Sequence, residues 1–115
     1  MDKLRKHIEE IIPITDEEFT YIQTFFTLKK LRKHQYLIQE GDQVNFEYLI
    51  LAGVFRVFYL DDEGKEHILQ FAGENWWMSD YQAFFNQKQA GLHITCMEDG
   101  EVLCLTLESR EKLAA

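Results

Sequence analysis

Apolar positions recur with two different periods along this chain, and the change from one period to the other divides it. Leu4, Ile8, Ile11 and Ile12 stand at i, i+4, i+7 and i+8, one face of a helix, and Pro13 stops the run. A second helix is predicted from Asp16 to about Leu28. Thr15 and Glu18 have the spacing of a capping box, in which the hydroxyl accepts from the third helical amide and the carboxylate reaches back. Ile14 and Phe19 flank that cap like a hydrophobic staple, and Asp16 and Glu17 suit the positive end of the helix dipole. Phe19, Ile22 and Phe26 form the apolar stripe, with Phe25 alongside.

From Gln35 onward the pattern shortens to strands separated by Gly and Asp. Tyr36-Leu37-Ile38-Gln39 precedes the turn Glu40-Gly41-Asp42, Glu47 to Leu51 follows, and Ala52-Gly53 turns the chain again. Val54 to Leu60, the loop Asp61-Asp62-Glu63-Gly64, and Glu66 to Phe71 read as a hairpin. In its second arm His67, Leu69 and Phe71 share one face, which marks His67 as an interior histidine. Ser79-Asp80-Tyr81-Gln82 has capping-box form and predicts a short helix over Asp80 to Phe85, with Ser79 as its cap. Leu92 to Met97 and Val102 to Leu107 are two more strands. Asp99-Gly100 between them favours a type I′ turn that would pair Met97 with Val102 and Cys96 with Leu103. Glu108 to Ala115 starts another helix. Many short strands with helices at both ends predict a single mainly β domain of α+β class, a closed sandwich or barrel.

Composition narrows the function classes. The 115 residues suit one domain, and 46% hydrophobic content is ample for one core. Twenty acidic against twelve basic residues give a net charge of −8, which opposes a phosphate backbone, so these residues are not expected to bind nucleic acid. Lys29, Lys30, Arg32, Lys33 and His34 cluster, and read as a solvated turn after the helix. The chain start has no apolar run of signal-peptide length, and no segment reaches a membrane span, so a cytoplasmic location is expected. Cys96 and Cys104 have no partner at metal-motif spacing, and the expected hairpin puts them on opposite faces, so they read as small core residues.

Candidate chemistry is sparse. His67 and His93 stand alone, without the His-x-His pair of a cupin metal site, and no metal or cofactor is expected. Ser79, Ser109, Cys96 and Cys104 are the possible nucleophiles, and Asp61, Asp62 and Glu63 the paired acids. None forms a catalytic constellation, so an enzyme is not expected. Trp76 and Trp77, with Tyr81, Phe84 and Phe85, make an aromatic group that either lines a pocket for an uncharged or aromatic ligand or fills the interior.

Gly41-Asp42, Tyr48, Gly53, Gly64 with Glu66, and Gly73 fall in the order and spacing of cyclic-nucleotide-binding domains. The stretch from Leu31 to Phe71 resembles Crp/Fnr-type transcription regulators of bacteria, and the resemblance covers roughly Phe26 to Leu113. It implies an eight-stranded jelly-roll β-roll over residues 35–107. Two N-terminal helices within residues 1–30, a short cassette helix and the root of a dimerisation helix at 108–115 would flank it. It also implies a ligand cassette. Aligned without gaps, the cassette Gly falls on Ser79, the ribose-binding Glu on Asp80, the phosphate-binding Arg on Ala90 and its Ser neighbour on Gly91. No Arg stands between Arg56 and Arg110, and Lys88 lacks the fork that grips a phosphate. The resemblance therefore implies a regulatory sensor that does not answer to cyclic AMP, with Trp76, Trp77, Ser79, Asp80, Tyr81, Ala90 and Gly91 around a degenerate ligand site. The alternative is a ligand-free interaction or dimerisation module with a plugged roll. The partners implied are an unknown small-molecule effector or none, a second copy through the dimer helix, and DNA only through a C-terminal domain that these residues do not include.

Overall fold

The capping box closes as its spacing predicts: the Glu18 amide donates to Thr15 Oγ1 at 3.1 Å and the Thr15 amide to Glu18 Oε1 at 2.8 Å. The computed structural model describes residues 1–114. Helix α2 (Asp16–Gln23) follows that cap, and α1 (Asp2–Glu9) precedes it. Both are shorter than the periodicity suggests. Ile11 and Ile12 lie beyond α1 and are exposed. The second helix does not run to Leu28. Thr27–Leu31 is strand β1, whose amides and carbonyls find partners on a neighbouring strand and so leave the helix.

Seven further strands follow: β2 (Tyr36–Ile38), β3 (Phe46–Ala52), β4 (Phe55–Leu60), β5 (Glu66–Ala72), β6 (Trp77–Met78), β7 (His93–Cys96) and β8 (Gly100–Thr106). Helix α3 (Tyr81–Asn86) lies between β6 and β7, and α4 (Leu107–Ala114) follows β8. Two antiparallel four-stranded sheets result, ordered β1-β8-β3-β6 and β2-β7-β4-β5. This is the jelly-roll architecture the glycine pattern implies, with the short strands β1 and β6 added to the six read from alternation.

The link between β7 and β8 is not a hairpin. Strand β7 pairs with β2 and β4, and β8 with β1 and β3, so the chain crosses between sheets. Asp99 serves the crossing by accepting the Lys33 amide at 2.7 Å. Gly100 and Gly53 allow two turns to meet backbone to backbone. A Cβ on Gly53 would stand 2.8 Å from Gly100 Cα, and Gly53 holds φ +95°. Gly53→Ala is expected to cost about 1–3 kcal/mol, because strain and clash act together. Denaturant titration reads that loss, and an unchanged midpoint would mean that the two turns move apart freely.

Alternation on β3 assigns two cores. Tyr48 and Ile50 enter the space between the sheets with Leu37, Val44, Phe55, Val57 and Ile94. Leu49 and Leu51 face the helices, where Leu4, Phe19, Phe26, Leu103 and Leu105 join them and Ile14 packs as the staple. Cys96 and Cys104 both belong to the inter-sheet core, so they lie on facing sheets and not on opposite sides of one hairpin. Burial pushes both thiols up, away from the reactive thiolate.

Strand β5 is an edge strand, and Ile68, Leu69 and Phe71 are half exposed on it. His67 is accordingly not interior. Its ring stacks on Tyr59 at 4.7 Å and its Nε2 lies 2.9 Å from Asp61 Oδ2 at the hairpin loop. That contact, followed by the Lys65 amide, holds the Asp61 carboxyl below its ordinary value. The basic cluster of residues 29–34 occupies the exposed end of β1 and the following turn, not a helix terminus.

Candidate functional site

The segment from β6 through α3 to β7 is where chemistry gathers. Met78 points into the inter-sheet core and Trp77 to the opposite face, because β6 alternates like any strand. Trp77 packs 6.3 Å from Phe26 beneath the helices, and Trp76 is exposed. The aromatic group expected from the sequence is therefore divided. Phe84 alone of the five is fully buried in the inter-sheet core, while Tyr81 packs against that core and stacks on the half-exposed Phe85 at 5.7 Å.

Helix α3 is capped by Asp80 and not by Ser79. Asp80 Oδ1 accepts the Ala83 amide at 3.2 Å, and the Ser79 hydroxyl donates instead to the Phe46 carbonyl at 2.8 Å. A carboxylate suits the positive helix end better than a hydroxyl does. Gln87 closes the helix in the left-handed conformation, φ 55°. The chain then returns past the Gly41-Asp42 turn. There the Ala90 amide donates to Asp42 and the Gly41 amide to Ala90, both at 2.8 Å.

This return brings Gly91 to Asp80. The second oxygen of Asp80 accepts the Gly91 amide at 2.8 Å, and the Asp80 residue is only 5% exposed. Two backbone donors of the segment, one at the helix start and one eight residues further on, are thus taken by a carboxylate of the chain itself. Ala90 is buried beside them in the inter-sheet core, with Phe84, Ala83 and Val44. Of the residues singled out from the sequence, Asp80, Ala90 and Gly91 meet here. Ser79 is adjacent but turned to β3, Tyr81 is half-buried and directed to Glu47 on the other side of β3, and Trp76 and Trp77 are elsewhere. Among the described residues, no group of three or more His, Cys, Asp or Glu side chains could hold a metal ion. No helix is long and apolar enough to cross a membrane.

A second polar centre escaped the sequence reading. Glu47 of β3 is 2% exposed and sits between two helices. Tyr81 of α3 donates its hydroxyl to Glu47 Oε1 at 3.0 Å, and Arg110 of α4 gives Nη1 to Oε2 at 2.6 Å. Arg110 also lies over the Phe85 ring at 5.1 Å. Burial, then the Glu47 charge, pushes the Tyr81 phenol well above its ordinary value, so it stays a hydrogen-bond donor. One carboxylate therefore ties α3 to α4. The signal was present: Glu47 shares its strand face with Leu49 and Leu51, and a charge on an otherwise buried face needs partners.

The model of the cyclic nucleotide-binding domain family matches residues 28–115. The chain belongs to the cyclic nucleotide-binding domain family. Among relatives of this domain, the anaerobic regulatory protein of Bacillus subtilis (strain 168) is 27% identical over 99 residues, 86% of this chain. The match spans 42% of that protein, so this chain corresponds to less than half of its length. The fold is shared with solved structures, two of them from bacterial regulators. The sensor domain of the transcriptional regulator DNR from Pseudomonas aeruginosa superposes with a TM-score of 0.80 at 17% identity, over 98% of this chain and 75% of that one. The catabolite activator protein of Thermus thermophilus gives 0.76 at 20% identity, over 89% and 47%.

Proposed function

We propose that this chain is the effector-sensing domain of a Crp/Fnr-type transcription regulator, and that its cassette does not take a cyclic nucleotide. The carrying observation is Asp80, whose carboxylate already holds the Ala83 and Gly91 amides. An anionic cyclic phosphate would have to displace that carboxylate, and it would meet a buried Ala90 where a guanidinium is needed. Charge-assisted bonds of that kind are worth about 1.5–3 kcal/mol each, so their loss removes one to two decades of affinity. On this reading the domain performs no catalysis. It biases the packing of the cassette against the helix that follows, by population shift. DNA contact belongs to a domain outside these residues, pairing with a second copy to the continuation of α4, and the setting is the cytoplasm. The packing of Phe84, Ala90 and Val44 together between the sheets would also suit a module with no small-molecule effector.

Thermal unfolding with millimolar cyclic AMP or cyclic GMP tests the reading. No shift is expected. A ligand of the folded state at 100 times its Kd would add about 2.7 kcal/mol, several degrees for a domain of this size, and a rise of that order would overturn the reading.

A further inference from the structure

A largely apolar groove lies outside the roll, on the helix side of one sheet. It encloses about 640 Å³ beneath α1, α2 and α4, against the outer face of β3 and β8. Leu4, Ile22, Phe26, Trp77 and Leu105 form its apolar walls. Tyr81 and Phe85 of α3 and Arg110 of α4 close the other side, with Glu47 between them. That volume falls within the range of about 300–1,000 Å³ typical of small-molecule sites, which are mostly apolar with a few convergent polar groups.

We infer that this groove binds a small, uncharged, mainly apolar molecule carrying one hydrogen-bond acceptor such as a hydroxyl or carbonyl. The inference rests on the sensor reading above and names the class of effector and its place. Charge selects the class. Glu47 and Arg110 face the groove as a pair at 2.6 Å, so their formal charges cancel, and His7 lines it as well, its buried Nδ1 without a partner and open to a hydroxyl. A ligand anion would compete with Glu47 for the single guanidinium, and a ligand cation would compete with Arg110 for the carboxylate. Either competition leaves one charge unpaired in an apolar setting, which is costly. Glu47 is already satisfied by two donors, whereas Arg110 gives Nη1 to Glu47 and keeps a side chain 44% exposed. A neutral acceptor meets the remaining guanidinium N–H groups without disturbing the pair. Position supplies the consequence. A molecule in the groove touches α3 through Tyr81 and Phe85 and α4 through Arg110 and Leu113, the two helices Glu47 joins. It would stabilise the arrangement in which they are joined.

The test titrates 1-octanol, octanoate and octylammonium into the Trp76→Phe chain, where Trp77 is the sole tryptophan reporter. A saturable change in Trp77 emission is expected with octanol. Each charged analogue is expected to bind at least about tenfold more weakly, one decade being 1.4 kcal/mol. Ala114→Phe places a ring at the mouth of the groove from an exposed position and should abolish the response with the melting temperature unchanged. No saturable response to octanol would overturn the inference. So would a response that persists in Ala114→Phe, or one equally strong with octanoate. Cyclic AMP run in parallel separates the two claims. Cyclic AMP binding would refute the sensor reading whatever octanol does, and silence from both ligands would refute only the groove.

Discussion

Phe84→Ala is expected to lower the unfolding free energy by about 3–5 kcal/mol, the range for removing a buried aromatic ring from a packed core. The melting temperature should fall on the order of 10–20 °C. Phe84 has no exposed surface, and it joins cassette helix α3 to the same inter-sheet core as Val44, Met78 and Ala90. The ring cannot be replaced by neighbours already tied into two sheets, so the cavity stays. Phe84→Leu keeps most of the volume and should cost under about 1.5 kcal/mol. Denaturant unfolding of the pair decides what the roll contains. If the inter-sheet space were an open ligand chamber, Phe84 would be one wall of a void, and its truncation would cost little more than the leucine exchange.

Asp80→Ala is expected to cost about 2–4 kcal/mol, the sum of a lost helix cap and a lost charge-assisted bond to a second amide. The carboxylate does two jobs at once. It caps α3 through Ala83, and it holds the chain returning from that helix through Gly91. Asp80→Asn keeps one carbonyl oxygen and so one of the two bonds, and it should fall about midway. Hydrogen exchange reads each contact separately. In Asp80→Ala both the Ala83 and the Gly91 amides should exchange faster, and in Asp80→Asn only one of them. Equal protection of Gly91 in all three proteins would mean that the return segment is held by the Gly41, Asp42 and Ala90 bonds alone.

These two residues also show how the site could and could not be read from the chain. The short helix after the strand block was legible from its capping pattern, and the family resemblance, not the pattern, singled out Asp80. Its identity as the cap was misplaced by one position, since serine and aspartate both suit that role and only the Phe46 carbonyl decides which turns inward. Phe84 was legible as aromatic, but not as the single ring of its group that enters the core. Alternation on β6 sends Trp77 to the helices, and the turn of α3 directs Tyr81 to Glu47 and leaves Phe85 half exposed. The Glu47 junction was missed, because its partners lie 34 and 63 positions away.

By itself, the chain determined the elements whose causes are local. The Thr15 capping box, the β4–β5 hairpin with its Asp61–Gly64 loop and the alternation of β3 each depend on neighbours within a few residues, where steric and hydrogen-bonding preferences are strong. Strand spacing added a closed sandwich or barrel, and the family resemblance narrowed that to the jelly roll. Tertiary structure alone decided the rest. The free edge of β8 recruited Thr27 and Leu28 out of a predicted helix and the residues up to Leu31 out of a predicted turn, and packing of the turns at Gly53 and Gly100 turned an apparent hairpin into a crossing between sheets. The outer groove appeared only when α1, α2 and α4 closed over one sheet. In each case backbone groups or apolar faces had to be satisfied by partners tens of residues distant, and local pattern carries no record of which partner arrives.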